Sequence, residues 1–248
     1  MPPSPVASSV ADRLSAVRSR IDAAARAAGR DPGEVRLLVA TKTQDAGAVI
    51  AAVEAGVGLV GENRVQELVA KAPALADHVA AGTLEVHMIG HLQRNKVNQV
   101  LATATGVETI DGMTLARALS TRCDRDGRTL DVMVQVNVSG EESKSGVAPD
   151  DAVPLAREVA ALPGLRLTGF MTIGARLDAD GDPADDATVR AGFARLRAIR
   201  DEVLASGAPG TADARELSMG MTTDLDLAIA EGATIVRVGT AVFGPRRT

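Results

Sequence analysis

Lys42 directly follows the run Leu37-Leu38-Val39-Ala40-Thr41. A run of that kind suits a strand buried on both faces, so the lysine falls where the strand leaves the core rather than on an outer helix. Partial desolvation there favours the neutral amine, a nucleophile toward carbonyl carbon. A lysine simply reaching solvent at a loop edge is the competing reading. Toward the end of the chain, Leu217-Ser218-Met219-Gly220-Met221-Thr222-Thr223-Asp224 sets a hydroxyl, a glycine and cap residues after a second short apolar run. The segment Val236-Arg237-Val238-Gly239-Thr240 adds another glycine and another hydroxyl. Backbone N–H groups and hydroxyls gathered in this way suit a phosphate, although turns and helix caps use the same residue types.

A carbonyl-reactive lysine facing a phosphate cup points to a phosphorylated aldehyde, of which pyridoxal 5′-phosphate (PLP) is the commonest. Arg237 lies two residues before Gly239, on the same side of a strand, from where it could reach a flat cofactor ring. A guanidinium accepts no proton, so it would leave the ring nitrogen neutral and weaken the ring as an electron sink. A salt-bridged core arginine fits the same position. A Schiff-base aldolase acting on a sugar phosphate without PLP also stays open at this point.

These residues need a scaffold that brings several strand ends to one rim. After an amphipathic helix over 6–29, with Val10, Leu14, Val17 and Ile21 on one stripe, the chain alternates short β-branched runs with longer Ala-rich stretches of helical period. Strands are expected at 35–40, 58–61, 84–89, 107–110, 130–138, 165–173, 215–219 and 234–238. Helices are expected near 45–55, 64–79, 93–104, 113–124, 150–162, 184–206 and 223–231. Eight strands in 248 residues leave about 31 per unit, the length a βα repeat needs. This predicts a single (β/α)8 TIM barrel spanning 1–248, with residues 1–33 supplying a helix packed on the barrel; an open doubly wound sheet is the alternative. In such a barrel, chemistry collects at the carboxyl ends of the strands, here Lys42, Glu62, Asn63, His91, Asp111, Asn137, Ser139, Thr172, Ser218, Arg237 and Thr240.

Composition narrows the function further. The chain has no Tyr and no Trp, so no mechanism can use a tyrosine and the core must be aliphatic. A net charge of −5 gives no electrostatic footprint for nucleic acid or an anionic membrane. One cysteine, Cys123, allows no intrachain disulfide and no cysteine zinc cluster. The start Met1-Pro2-Pro3-Ser4-Pro5 lacks a basic and an apolar leader region, so a cytoplasmic protein is expected. Gly56-Val57-Gly58-Leu59-Val60-Gly61 spells a dinucleotide fingerprint but sits after a helix and within a strand, the wrong order. Glu85, His87 and His91 would share one face of a regular strand, yet make too weak a set for a metal, and none is expected. The Asp-rich stretch 178–186 lacks the glycine at loop position six and the final glutamate of a calcium loop and reads as a mobile rim loop. Lys144, in Ser143-Lys144-Ser145-Gly146, lies near the rim and is either a loop lysine or an aid to PLP admission and release.

Several ordered segments together resemble the YggS-like pyridoxal phosphate homeostasis proteins over nearly the whole chain. They are Leu38-Val39-Ala40-Thr41-Lys42-Thr43, Gly61-Glu62-Asn63-Arg64-Val65-Gln66-Glu67, His87-Met88-Ile89-Gly90-His91-Leu92-Gln93-Arg94-Asn95-Lys96, Lys144-Ser145-Gly146, Gly169-Phe170-Met171-Thr172-Ile173, and the tail from Leu217 to Gly244. The resemblance implies the barrel of the alanine racemase N-terminal domain (PLP fold type III). It also implies a Schiff base on Lys42, a ring-nitrogen contact from Arg237, phosphate contacts from the segments around Ser218-Met219 and Gly239-Thr240, and Asn63 against the cofactor. Two departures are Val86 and Met88 where aromatic residues often flank His87, and a long loop at 178–186.

Racemisation on such a barrel needs a base on each face of the substrate, usually a lysine and a tyrosine. With no tyrosine, and with the chain ending soon after the eighth strand, the expectation is a non-catalytic PLP carrier, monomeric or weakly dimeric, that serves PLP-dependent apoenzymes. The alternative, an amino-acid racemase or related PLP enzyme, would need His87 or His91 as the opposing base.

Overall fold

The computed structural model describes residues 5–141, 143–176 and 182–244. Eight parallel strands close into a barrel in sequence order: β1 (Arg36–Ala40), β2 (Leu59–Glu62), β3 (Glu85–Met88), β4 (Gly106–Ile110), β5 (Leu130–Gln135), β6 (Leu165–Met171), β7 (Glu216–Ser218) and β8 (Ile235–Val238). The helices are α1 (Pro5–Ala27), α2 (Ala46–Glu54), α3 (Val65–Ala80), α4 (Val97–Leu101), α5 (Met113–Arg125), α6 (Pro149–Ala160), α7 (Asp186–Ala205), α8 (Leu225–Ala230) and α9 (Thr240–Phe243). All eight expected strands form, each within three residues of its expected bounds. Parallel neighbours require a crossover, and the amphipathic helices supply it while covering the outer face of each strand. The stretch expected as one helix at 93–104 is instead a 3-10 turn, Arg94–Lys96, followed by the short α4.

Two apolar layers result. Val39, Val60, Val86, Val132, Phe170 and Val236 belong to the large cluster formed between sheet and helices. Inside the barrel, Leu38, Leu59, Ile89, Met133, Met171 and Ile235 pack together as a second, smaller plug. The register Leu38↔Arg237 across β1 and β8 places Arg237 beside one of these interior residues, so its side chain enters the barrel.

Helix α1 spans the seam between the last and first βα units, packing on α2, α8 and α9. Val10, Leu14, Val17, Ile21 and Ala25 form its buried stripe. Arg18 of this helix donates to Gly56 O (2.7 Å), and Arg30, in the turn that follows it, to Ala233 O (2.8 Å). Of the Asp-rich stretch expected as a rim loop, residues 178–181 lie outside the described residues. Asp185 caps α7 by accepting from the Thr188 N–H (2.8 Å).

Candidate functional site

The carboxyl ends of β1 and β8 meet at one side of the rim. There Lys42, Gly239 and Thr240 line a narrow cleft together with Ala40, Gln44 and Phe243. Lys42 is exposed, as the loop-edge reading of the sequence has it, and its amine has no hydrogen bond or ion pair among the described residues. Gly239 packs so tightly on β1 that a Cβ there would lie 2.9 Å from the Ala40 carbonyl oxygen. The backbone N–H groups of Gly239 and Thr240, and that of Gly220, make no hydrogen bond among the described residues. Gly220 has φ +89°, and a Cβ would come within 2.5 Å of Ala228 Cβ, so backbone and space both demand glycine at this turn.

Arg237 is buried inside the barrel beneath that cleft. Its Nη1 donates to the carbonyl (2.6 Å) and hydroxyl (2.9 Å) oxygens of Ser218, and its Nη2 to the Thr172 carbonyl (2.6 Å). These bonds use three of the five N–H groups a guanidinium carries. The Ser218 hydroxyl in turn donates to Glu108 Oε2 (2.6 Å), and Glu108 Oε1 lies 2.8 Å from His87 Nδ1. A polar thread thus crosses the interior from β8 through β7 and β4 to β3.

The charges along this thread follow from its partners. Burial opposes the charge of Glu108, but the His87 bond and the nearby Arg237 outweigh it and hold the carboxyl below its usual range. Burial likewise opposes a charged His87, yet Glu108 and Glu85 raise it to about 9. His87 is therefore an imidazolium at neutral pH, and its Nδ1–H donates to Glu108. Burial depresses Arg237, and Glu108 and Asp224 work against that fall. At the opposite, amino-terminal mouth, His87 forms part of the wall of a cavity of about 520 Å³, where Arg36 pairs with Glu85 and Arg166 with Asp131.

Of the sequence-predicted residues, Lys42, Gly239 and Thr240 share the cleft, and Arg237 and Ser218 are joined below it. Met219 is fully buried behind them, its N–H donating to Ile235 O (3.0 Å). Asn63 follows β2 at the same rim, half-buried, with no side-chain hydrogen bond to the other six among the described residues. A Cβ on Gly90 would lie 2.0 Å from the Asn63 carbonyl oxygen, so this glycine lets the two loops touch. His87 and His91 do not share a site: His87 is inside the barrel, whereas His91 is exposed beyond the end of β3 and lies 3.5 Å from Asp111. Among the described residues no three His, Cys, Asp or Glu side chains cluster as metal ligands. Lys144 is tied down, donating to Glu141 Oε1 and to Gly174 O (2.7 Å) and bridging the loops after β5 and β6.

Two contributors escaped the sequence reading. Glu108 interrupts Val107-Glu108-Thr109-Ile110, a charged residue in a strand otherwise fit for burial, and that interruption was the available signal. Lys71 lies on the apolar stripe of α3 with Val65, Leu68 and Leu75, again a charge on a face meant for the core. Lys71 Nζ donates to Glu62 Oε1 (2.6 Å) and to the Thr41 carbonyl (2.8 Å), immediately before Lys42.

Known proteins share this fold and much of this sequence. The family profile described as "Alanine racemase, N-terminal domain" matches residues 13–247. A Pseudomonas aeruginosa protein named "Pyridoxal phosphate homeostasis protein" is 42% identical over 239 residues, covering 96% of each chain. A crystal structure of a Bifidobacterium adolescentis protein superposes with a TM-score of 0.91 at 46% identity, covering 98% of each chain. PipY of Synechococcus elongatus, solved with PLP bound, superposes with a TM-score of 0.77 at 30% identity, covering 95% of this chain and all of PipY. With the alanine racemase N-terminal fold and near-complete coverage at this identity, the chain belongs to the pyridoxal phosphate homeostasis protein family.

Proposed function

We propose that this chain is a cytoplasmic PLP carrier, monomeric or weakly dimeric, that holds the cofactor through Lys42 and yields it to PLP-dependent apoenzymes without robust turnover of its own. The observation that carries the reading is an exposed, uncommitted amine in one cleft with Gly239 and Thr240, above a buried arginine with N–H groups to spare. The PLP bound to the relative PipY supports it.

The residues present fit the cofactor. PLP supplies an aldehyde for an amine, a flat ring with one nitrogen acceptor, and a phosphate. Lys42 supplies the amine. Arg237 is fixed by Ser218 and Thr172, and its remaining N–H groups give the ring nitrogen a donor that cannot surrender its proton. The Ser218 hydroxyl is committed to Glu108 and Arg237, so in this reading the phosphate is held by the N–H groups of Gly220, Gly239 and Thr240 and by the Thr240 hydroxyl. Met219 backs this turn, and Asn63 follows β2 at the same rim.

Carriage is favoured over turnover because neither candidate base lines the cleft. His87 has its imidazolium locked against Glu108 below it, His91 is exposed beyond β3 beside Asp111, and the chain has no tyrosine. Purified protein incubated with PLP is expected to show a visible absorption band that Lys42→Ala removes. It is also expected to leave the α-hydrogens of a panel of amino acids unexchanged in deuterated water. A Lys42→Ala protein that keeps the wild-type band, or ready α-hydrogen exchange by the wild type, would contradict the proposal.

A further inference from the structure

The segment that carries Lys42 is pinned on both sides by α3. On the amino-terminal side, Lys71 Nζ donates to the Thr41 carbonyl (2.8 Å) and to Glu62 Oε1 (2.6 Å), and the Thr41 hydroxyl donates to the same carboxylate. On the carboxyl-terminal side, the Thr43 N–H donates to Glu67 Oε2 (2.7 Å). Glu67 Oε2 and Lys71 Nζ lie 3.7 Å apart on successive turns of α3, so the two holds form one unit.

This arrangement is costly for a merely structural contact. Glu62 and Lys71 are both nearly inaccessible, and Glu62 Oε2 is buried with no hydrogen-bond partner. Burial pushes the Glu62 carboxyl up, against the pull of Lys71 and Thr41. Well-packed apolar residues of similar volume commonly replace a buried pair at no loss of stability. Thr43 is also the only residue other than glycine with positive φ (+66°) among the described residues. A β-branched residue is strained in that conformation, and such strain persists where surrounding bonds over-determine it. The strained residue and the desolvated pair flank one side chain, Lys42.

We infer that Glu62, Lys71 and Glu67 are positioning residues for Lys42: they fix the backbone at Thr41 and Thr43 so that the amine is presented to an aldehyde in the cleft already oriented. The inference rests on the PLP reading for the identity of the aldehyde, but the clamp itself does not. None of the three lines the cleft itself; Lys71 and Glu67 hold the backbone on either side of the lysine, and Glu62 holds Lys71 and the Thr41 hydroxyl. Misplacement of a reacting group by about 1 Å can cost up to about a hundredfold in rate.

The test compares wild type, Glu67→Ala, Glu67→Gln and the double variant Glu62→Gln/Lys71→Met, which removes the buried charges together. One readout is the rate at which Lys42 gains the mass of PLP, followed by borohydride quenching at timed intervals. The other is hydrogen exchange at the Thr43 amide in the protein without PLP. Glu67→Ala and the double variant are expected to gain PLP mass about tenfold more slowly, with little change in thermal midpoint for Glu67→Ala. Glu67→Gln, which keeps an acceptor for the Thr43 N–H, is expected to restore the wild-type rate. Thr43 exchange should quicken in Glu67→Ala alone of the two position-67 variants. Wild-type rates in both Glu67→Ala and the double variant, or no rescue by glutamine, would overturn the inference. Wild-type protein that gains no PLP mass at Lys42 would refute the PLP reading instead, and unchanged Thr43 exchange in Glu67→Ala would then overturn the clamp by itself.

Discussion

Arg237→Leu is expected to lower the unfolding free energy by about 3–5 kcal/mol, the range seen when one partner of a buried charge pair is removed, and to end PLP retention. The guanidinium joins three strands, taking the Thr172 carbonyl at the end of β6, the Ser218 carbonyl and hydroxyl on β7, and its own place on β8. Leucine would leave the buried Thr172 carbonyl without this donor and the interior Glu108 with a nearby charge removed. Arg237→Lys should not rescue it fully, because one ammonium cannot reproduce the planar fork that reaches β6 and β7 at once. Urea unfolding of the two variants measures the effect. A loss below about 1 kcal/mol for the leucine variant, the net worth of an ordinary hydrogen bond, would show that the thread through the barrel does not act as a unit.

The second large effect is on pH. Because its partners raise the folded-state value of His87 from 6.5 to about 9, its contribution to stability is fully present below about pH 6.5 and is lost as the pH rises through about 9. That shift corresponds to a loss on the order of 3 kcal/mol between about pH 6 and pH 10. Glu108 works in the other direction: its folded-state value is depressed, so its contribution is present above the unfolded carboxyl range and is lost in acid. Wild type minus His87→Gln isolates the contribution of the histidine. The difference in unfolding free energy should shrink as pH rises through about 9. A pH-independent difference would mean that His87 is neutral in the folded protein and that Glu108 is paired in some other way.

The fold was largely legible in sequence because a parallel barrel has a repetitive physical signature. Each strand must be apolar on both faces and each crossover must be an amphipathic helix, and Leu37–Ala40 beside the Ala-rich 46–54 shows both. Strands β5 and β6 stop short of the expected 138 and 173 because the apolar run continues into the rim. There Val136 bridges to Val147, and its N–H donates to Met171 O. Apolarity alone does not say where a ladder ends. Helix 93–104 broke into a turn and α4 for a similar reason: the period was present, but tertiary packing fixed where it began.

The site was legible where a residue's role depends on its distance from a strand end. Lys42, Gly239 and Thr240 reach one cleft because β1 and β8 are neighbours in the closed barrel. Roles that depend on pairing across the interior were hidden. Nothing local to Ser218 announces that its hydroxyl turns inward to Glu108, 110 positions away. Nothing local to His87 announces that its Nδ1 turns to the same carboxylate; its Nε2 lies 3.5 Å from Glu85, but His91 stands apart beside Asp111, so the three do not gather as their spacing allowed. Position left Lys42 between a desolvated and a solvent-reaching lysine, and the hold of α3 on the 41–43 turn could not be read at all.

Covalent attachment of PLP at one amine is the centre of the account. The most direct measurement is borohydride reduction of the PLP-treated wild-type protein, followed by proteolysis and mass mapping. The expected result is a single reduced pyridoxyl-phosphate adduct on the peptide that contains Lys42. An unmodified Lys42 peptide, or an adduct confined to another amine such as Lys144, would contradict the account.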